Sequence, residues 1–295
     1  MKVLDSEIAY AILWVHITQG NEAVDEEIQT IRKPNILAYD IECTGILGYA
    51  YGIYETNIHK IVEQPILLSF SYAWYIDGKK PKIVCRTLAD TDTYNVDPKN
   101  DQLLVKELWT LFNAADVTLG HNSRSFDDKV ANMFFLKHRL PPTPPHKQLD
   151  TKVMSGSIGR FPSKSLNNLS DFFGLGQKTE TTHADLWWAS ITGGKEGRKA
   201  MKKMAAYNNQ DVVLTVKLYE ILRPYFKNHP VLSRISGEEG ACPRCGSYDF
   251  RLRAYRTSNT SRYHQYSCNA CLGFFSDRKA ITEKQGDIKP LFVNV

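Results

Sequence analysis

Residues 35–45 read NILAYDIECTG, a short apolar run that ends in two carboxylates, Asp40 and Glu42. Read as a strand, the run alternates its side chains. Asp40 and Glu42 then point the same way, roughly 6.6 Å apart along the chain, while Ile41 faces the opposite layer. Two carboxylates side by side at the end of an apolar strand repel unless a cation sits between them. A D-x-E pair by itself is also an ordinary solvated strand end, so its meaning depends on what accompanies it.

Two later motifs accompany it. In HNSRSFDDKV (residues 121–130) Asn122 follows an apolar run and Asp127 falls in the first turn of the next helix, where the helix dipole favours a carboxylate. In YNNQD (residues 207–211), inside a long amphipathic pattern, Tyr207 and Asp211 are four apart and share one helix face, their Cβ atoms about 5–6 Å apart. Alone, the first is a helix N-terminal acid and the second a surface helix pair. Together they give D-x-E on a strand, N-x-x-x-F-D after a later strand and Y-x-x-x-D on a late helix, in one order.

In that order the residues resemble the DEDDy family of 3′-to-5′ exonucleases of the RNase H-like superfamily, across roughly residues 35–225, with a flavour closest to stand-alone members. Asp40 and Glu42 match the first motif, Asn122, Phe126 and Asp127 the second, and Tyr207 and Asp211 the third. Tyr207, where a sister subgroup carries His, marks the tyrosine branch. The resemblance implies a mixed five-stranded sheet and two Mg²⁺ or Mn²⁺ ions about 3.5–4 Å apart that hold the charge developing on a cleaved phosphodiester. It implies that Asp40 bridges the ions, that Glu42 and Asp211 complete the site that activates water, and that Asp127 holds the second ion. Tyr207, with an unperturbed pKa near 10, is a weak base and is expected to orient the attacking water. The resemblance also makes Asn122 and Phe126 candidate nucleic-acid contacts.

The rest of the chain agrees with an α/β class. Residues 65–88 alternate and turn at Asp77-Gly78, which predicts a hairpin; residues 101–114 carry helical spacing, and residues 117–120 form a brief apolar run. A helix is expected over residues 125–140, stopped by PPTPP, then a strand over 148–151 and helices over 166–173 and 195–225. About twenty residues with Tyr49, Tyr51 and Tyr54 separate the first two strands, where the family often has a tight turn. Their rings either stack on terminal bases or pack against the domain. Asp128, Asp150, His121 and His183 lie near motifs in supporting or structural roles, and Cys43 reads as buried.

Cys242-Pro-Arg-Cys245 and Cys268-Asn-Ala-Cys271 are two knuckles separated by 22 residues. Four thiolates suit one tetrahedral structural Zn²⁺, and the intervening segment is long enough for a β-hairpin with its tip near Ser258 and Ser261, so this looks like a zinc ribbon. A disulfide framework is the other reading, disfavoured by the absence of an export signal at the N-terminus. In the hairpin Arg251, Arg253 and Tyr255 are expected to alternate onto one face, with Arg256 and Arg262 close by. Cations mixed with aromatics fit single-stranded nucleic acid, and fit a solvated basic face or a protein-docking surface nearly as well.

Of the 295 residues 42% are hydrophobic and 23% charged, an ordinary globular composition. No run approaches the ~20 apolar residues of a membrane span, and the expected location is intracellular: cytoplasm, nucleoid or a viral replication site. Residues 241–295 hold 9 Lys/Arg against 4 Asp/Glu, which accounts for the whole net charge of +5. Neither GGK at residues 193–195 nor GLG at 174–176 has the spacing of a phosphate or dinucleotide loop. The expected organisation is an N-terminal helical extension (1–34), an RNase H-like exonuclease domain (35–228) and a four-cysteine zinc ribbon (240–295). The expected function is metal-dependent 3′-to-5′ hydrolysis of single-stranded DNA, favoured over RNA, with a replication protein as a partner in trans. An RNase H-like ribonuclease and a non-catalytic nucleic-acid or replisome adaptor stay open.

Overall fold

A computed structural model of the chain describes residues 33–52, 54, 57–176, 183–237 and 240–281. The N-terminal helix expected before residue 33 lies outside the described residues. The strand expected at residues 35–45 forms as β1 (Ile36–Cys43), followed by β2 (Leu47–Tyr49), β3 (Lys60–Glu63), β4 (Leu67–Tyr75), β5 (Val84–Thr87), β6 (Val117–Gly120) and β7 (Lys147–Asp150). Five of these make one sheet in the order β5-β4-β1-β6-β7, with β1 in the middle. β4 runs antiparallel to β1 and to β5, whereas β6 runs parallel to β1 and to β7. The sheet is mixed, as expected.

Burial on both faces explains why β1 and β4 are apolar almost throughout. Leu37, Tyr39 and Ile41 pack into one core with Leu104, Leu108 and Phe112 of α1 (Gln102–Ala114) and Phe134 and Phe135 of α2 (Asp127–Lys137). The alternate residues Ile36 and Ala38 pack into a second core. Met154 of α3 (Thr151–Ile158), Leu169 of α4 (Leu166–Phe172) and Val212, Leu218 and Tyr219 of α6 (Gly194–Leu222) supply it. Between α4 and α6 lies α5 (His183–Ser190), whose Trp187 and Trp188 pack against the first core. The strand's alternation therefore aims Asp40, in phase with Ile36 and Ala38, at the α6 layer.

Several boundaries differ from expectation, and a side-chain cap sets one of them. α2 begins at Asp127 rather than residue 125 and ends at Lys137, because His138 leaves the helix and Arg139 adopts φ 54°. Thr151, expected to end a strand, instead opens α3: the Asp150 carboxylate accepts from Lys152 N and Val153 N at 2.9 and 3.3 Å. α6 stops at Leu222, short of residue 225, and the insertion between the first two sheet strands carries the small antiparallel pair β2–β3. At the other end of α6, Gly197 has a definite reason. A Cβ there would sit 2.2 Å from the Tyr94 hydroxyl, which donates to Ser190 O at 2.6 Å.

Past α7 (Leu232–Ile235) the chain makes a three-stranded antiparallel sheet from β8 (Phe250–Thr257), β9 (Arg262–Cys268) and β10 (Phe274–Ser276), ordered β10-β9-β8. Its hairpin tip falls where expected, Ser258 N–H donating to Ser261 O at 2.8 Å. The sheet is tied to the rest by Leu232 N–H to Pro243 O and by Arg244 Nη1–H to Pro224 O, both 2.7 Å. No helix among the described residues is long and apolar enough to cross a membrane.

Candidate active site and cysteine cluster

The sheet brings three distant motifs to one end of β1. Asp40 and Glu42 stand on the strand; Asp127, nearly buried, reaches back to it, its Oδ1 accepting from Ile41 N–H at 3.2 Å. From the opposite layer Asn208, fully buried, donates its Nδ2–H to Asp40 Oδ2 at 2.6 Å. Tyr207 and Asp211, buried on the same helix, flank it one residue before and three after. Asn209 Oδ1 accepts from the hydroxyl of Ser71, which lies directly across the β1–β4 ladder from Asp40. Trp187 Nε1–H donates to Glu42 Oε2 at 3.3 Å.

The position of Asp127 is built by its loop. Asn122 takes φ 65°, a left-handed conformation that Asn tolerates better than most residues. Its carbonyl accepts from Ser125 N and Phe126 N, turning the chain tightly into α2. Asp150 holds that loop from β7, accepting Asn122 N–H at 2.9 Å and Arg124 N–H at 3.1 Å in addition to capping α3. Beside Asp127, Asp128 Oδ1 accepts from the Tyr39 hydroxyl at 2.6 Å, so Asp128 is bound into the core. Phe126 stays 49% exposed next to Asp127, an aromatic face at the rim of the carboxylates.

Electrostatically the site asks for positive charge. Burial raises the Asp127 carboxyl above the usual range, Ile41 N–H pulls it back, and Asp128 and Glu42 push it up again. Burial, with Glu42 and Asp127 adding to it, pushes the neighbouring Cys43 thiol up to about 12, which keeps it a neutral packing group. Carboxylate oxygens such as those of Asp40, Glu42, Asp127 and Asp211 are the donor type of hard divalent cations, but no three of these acids bring ligand atoms within 4.8 Å of one another.

Cys242, Cys245, Cys268 and Cys271 form a second cluster. All four are free cysteines, and their sulfurs lie within 4.8 Å of one another, the one such group of ligand atoms among the described residues. Cys242 Sγ to Cys271 Sγ and Cys245 Sγ to Cys268 Sγ are both 3.7 Å. A tetrahedron with metal–sulfur bonds of about 2.3 Å has edges of about 3.8 Å, whereas a disulfide needs about 2.05 Å. The cluster fits one tetrahedral ion and is not disulfide-bonded.

The basic face of the hairpin differs from expectation. A β-bulge between Leu252 and Ala254 inserts Arg253 as an extra residue, and an odd insertion swaps faces beyond it. Arg251 stands opposite Ser267 and Arg256 opposite Tyr263 on one side of the sheet. Tyr255 stands opposite His264 on the other. Arg256 covers the Tyr263 ring at 4.8 Å, and Arg262 covers Tyr255 at 4.0 Å, one cation–aromatic pair per face. In the insertion after β1, Tyr49, Tyr51 and Tyr54 are 65, 86 and 93% exposed, so they do not pack against the domain.

Sequence reading missed Asn208, Trp187 and the bracing role of Asp150. Asn208 was detectable, since i, i+3 spacing puts it on the Asp211 face; Asp150 carried the signal of an acid between a strand and a helix. Trp187 carried none, because nothing local places α5 beside β1.

A mixed five-stranded sheet flanked by helices, with carboxylates from its central strand and two covering helices, defines an RNase H-like fold. The family model described as the RNase_H superfamily matches residues 38–223, and the chain belongs to that superfamily. No curated protein matches it. Two structures of the Saccharomyces cerevisiae Pan2 pseudoubiquitin hydrolase–RNA exonuclease module are similar to it. The one in complex with AAUUAA RNA has 11% identity and a TM-score of 0.35, covering 72% of this chain and 32% of that one. The one with AACCAA RNA has 14% identity and a TM-score of 0.33, covering 73% and 33%. The chain thus spans about a third of the length of those solved chains.

Proposed function

We propose that the chain is a metal-dependent 3′-to-5′ exonuclease of the DEDDy type acting on single-stranded DNA. Its nuclease unit would span residues 35–228 and a zinc ribbon residues 240–295, with residues 1–34 an extension. The observation that carries the reading is that Asp127 and Asn208, the latter on the helix that carries Tyr207 and Asp211, both bond to the Asp40–Glu42 segment of β1. The motif order of the tyrosine branch supports the direction; the same carboxylates would serve either sugar, which makes RNA the comparison substrate.

Asp40, Glu42, Asp127 and Asp211 would hold two Mg²⁺ or Mn²⁺. Bound there, such ions stabilise charge on the attacking and leaving oxygens of a phosphodiester displacement and acidify water. The chain's own groups supply the remainder. Asn208 and Trp187 keep Asp40 and Glu42 in place, the Tyr207 hydroxyl orients the attacking water, and the Phe126 ring stacks on the terminal base. The four cysteines hold one structural Zn²⁺, and the free energy of binding it folds a module too small to bury a sufficient core.

The test is degradation of a 5′-labelled single-stranded DNA and of its RNA equivalent, with Mg²⁺, Mn²⁺ or EDTA, by wild type and by Asp211→Ala. A metal-dependent ladder shortening from the 3′ end and abolished by the substitution supports the reading. Shortening from the 5′ end overturns the direction, and inactivity of folded, zinc-loaded protein on both substrates returns the chain to the adaptor class.

A further inference from the structure

A cleft of about 590 Å³ opens between the C-terminal end of α6 and one face of the three-stranded sheet. Its lining includes Tyr225, Lys227, Arg244, Arg256, Gln265 and Phe274. The charge is one-sided: three cations and no carboxylate line it, and none of the three is in an ion pair with a described acid. Two aromatic rings stand open to solvent at its walls, Tyr225 at 70% exposure from the helix side and Phe274 at 49% from the sheet side.

The fold holds this arrangement in place. Arg244 is pinned across the joint by its bond to Pro224 O, and it lies over Gly273, where a Cβ would come within 2.3 Å of Arg244 Nη1. The guanidinium still has donors to spare. Arg256 is steadied over Tyr263, and the register places Phe274 and Ser276, through their partners Ser267 and Gln265, on that same face. Cations around exposed aromatic rings match a phosphodiester strand with unpaired bases: guanidinium and ammonium groups take phosphates while rings stack on bases of any identity. An acidic protein would use the cations and leave the two rings unexplained.

We propose that this cleft binds a nucleotide of single-stranded nucleic acid, its phosphate on Lys227, Arg244 and Arg256 and its base against Tyr225 and Phe274. This deepens the exonuclease reading and rests on it for the class of ligand. The cleft lies past the C-terminal end of α6, the helix end nearer to Asp211. Asp211 and the last helical residue, Leu222, are eleven positions apart, ~16 Å along the axis. A stacked strand at about 3.4 Å per nucleotide crosses that span in about five nucleotides. The site would therefore hold the strand well back from the end being cut.

The test is fluorescence-anisotropy binding of labelled DNA and RNA single strands, from about three to about twenty nucleotides, to full-length zinc-loaded protein carrying Asp211→Asn so that nothing is hydrolysed. Lys227→Glu with Arg256→Glu should weaken long strands about tenfold or more and make the salt slope shallower by about 0.7, the share of the one phosphate held there. Tyr225→Ala with Phe274→Ala should weaken them about fivefold or more with the slope unchanged, and should abolish the gain in affinity between about three and about ten nucleotides. Lys106→Glu with Lys199→Glu, the same charge change on α1 and near the N-terminal end of α6, should have little effect. Unchanged affinity and slope in both cleft variants overturns the proposal and leaves the cleft to a protein partner; equal weakening by the control pair also overturns it. Because turnover is not read, a chain that hydrolyses nothing but responds in this way upholds the cleft while the exonuclease reading falls.

Discussion

Asn208 donates to Asp40 Oδ2 at 2.6 Å, across 168 positions of sequence, so the strand that carries the first acidic motif and the helix that carries the third are joined at the acid itself. The bond is charge-assisted and part-buried, the kind worth about 1.5–3 kcal/mol. Asn208→Ala should lower kcat on single-stranded DNA about 10- to 100-fold with a smaller change in KM. Steady-state kinetics beside a denaturation curve would separate a mispositioned Asp40 from a globally weakened fold; an unchanged kcat would remove Asn208 from the site.

Asp150 accepts four backbone N–H groups, from Asn122, Arg124, Lys152 and Val153. Asp150→Ala removes a helix cap and the brace of the loop that sets Asp127. The expected cost is about 2–3 kcal/mol, read as a lower urea midpoint. Faster hydrogen exchange should appear at the Asn122 and Arg124 amides before anywhere in β1.

The cysteine cluster should bind one Zn²⁺ per chain. Cys268→Ser should lose it by elemental analysis and make residues 240–281 sensitive to protease. The five-stranded sheet should survive, because its two cores draw on no residue after Leu232 apart from Ile235 packed at the margin. Loss of the whole fold with the metal would show the two units to be one.

His229 predicts a pH dependence. Its Nδ1–H donates to Pro230 O at 2.7 Å, and Nε2 pairs with the Tyr219 hydroxyl at 2.8 Å, an arrangement that the neutral ring satisfies with the hydroxyl donating. Arg223, Arg244 and Cys271 are the other charged or titratable groups bearing on it. Burial lowers its pKa from 6.5 to about 4, with Arg223 and Arg244 acting in the same direction. Below pH 6.5 the unfolded chain therefore binds a proton that the folded chain refuses. Stability is full above that pH and falls until about pH 4, by up to about 3 kcal/mol. His229→Gln should flatten the fall in denaturation midpoint between pH 7 and 5. Comparing the two slopes cancels any acid release of metal, and equal slopes would exclude His229 as the cause.

Local order made much of the fold legible beforehand. The alternation of residues 65–88 gave the β4–β5 hairpin, helical spacing gave α1 and α6, and the paired knuckles gave the cysteine cluster, because each signal is carried by neighbours in the chain. The misjudged features were set elsewhere. Thr151 opens a helix because Asp150 caps it, and α5 is stabilised by a core that its own sequence does not announce. A single inserted residue, Arg253, turns Tyr255 to the face opposite Arg251, a register choice made by pairing with β9.

The sequence by itself determined which acids the chain has and their phase on their own elements: Asp40 and Glu42 on one side of a strand, Tyr207 and Asp211 on one side of a helix. Those relations follow from backbone periodicity alone. Only the tertiary structure decided that Asn208 grips Asp40, that Trp187 reaches Glu42, and that Tyr225 and Phe274 face one cleft. Such pairs are far apart in sequence and are brought together by burial of two cores. Burial constrains how whole layers pack, and no local pattern encodes which side chain it leaves beside which.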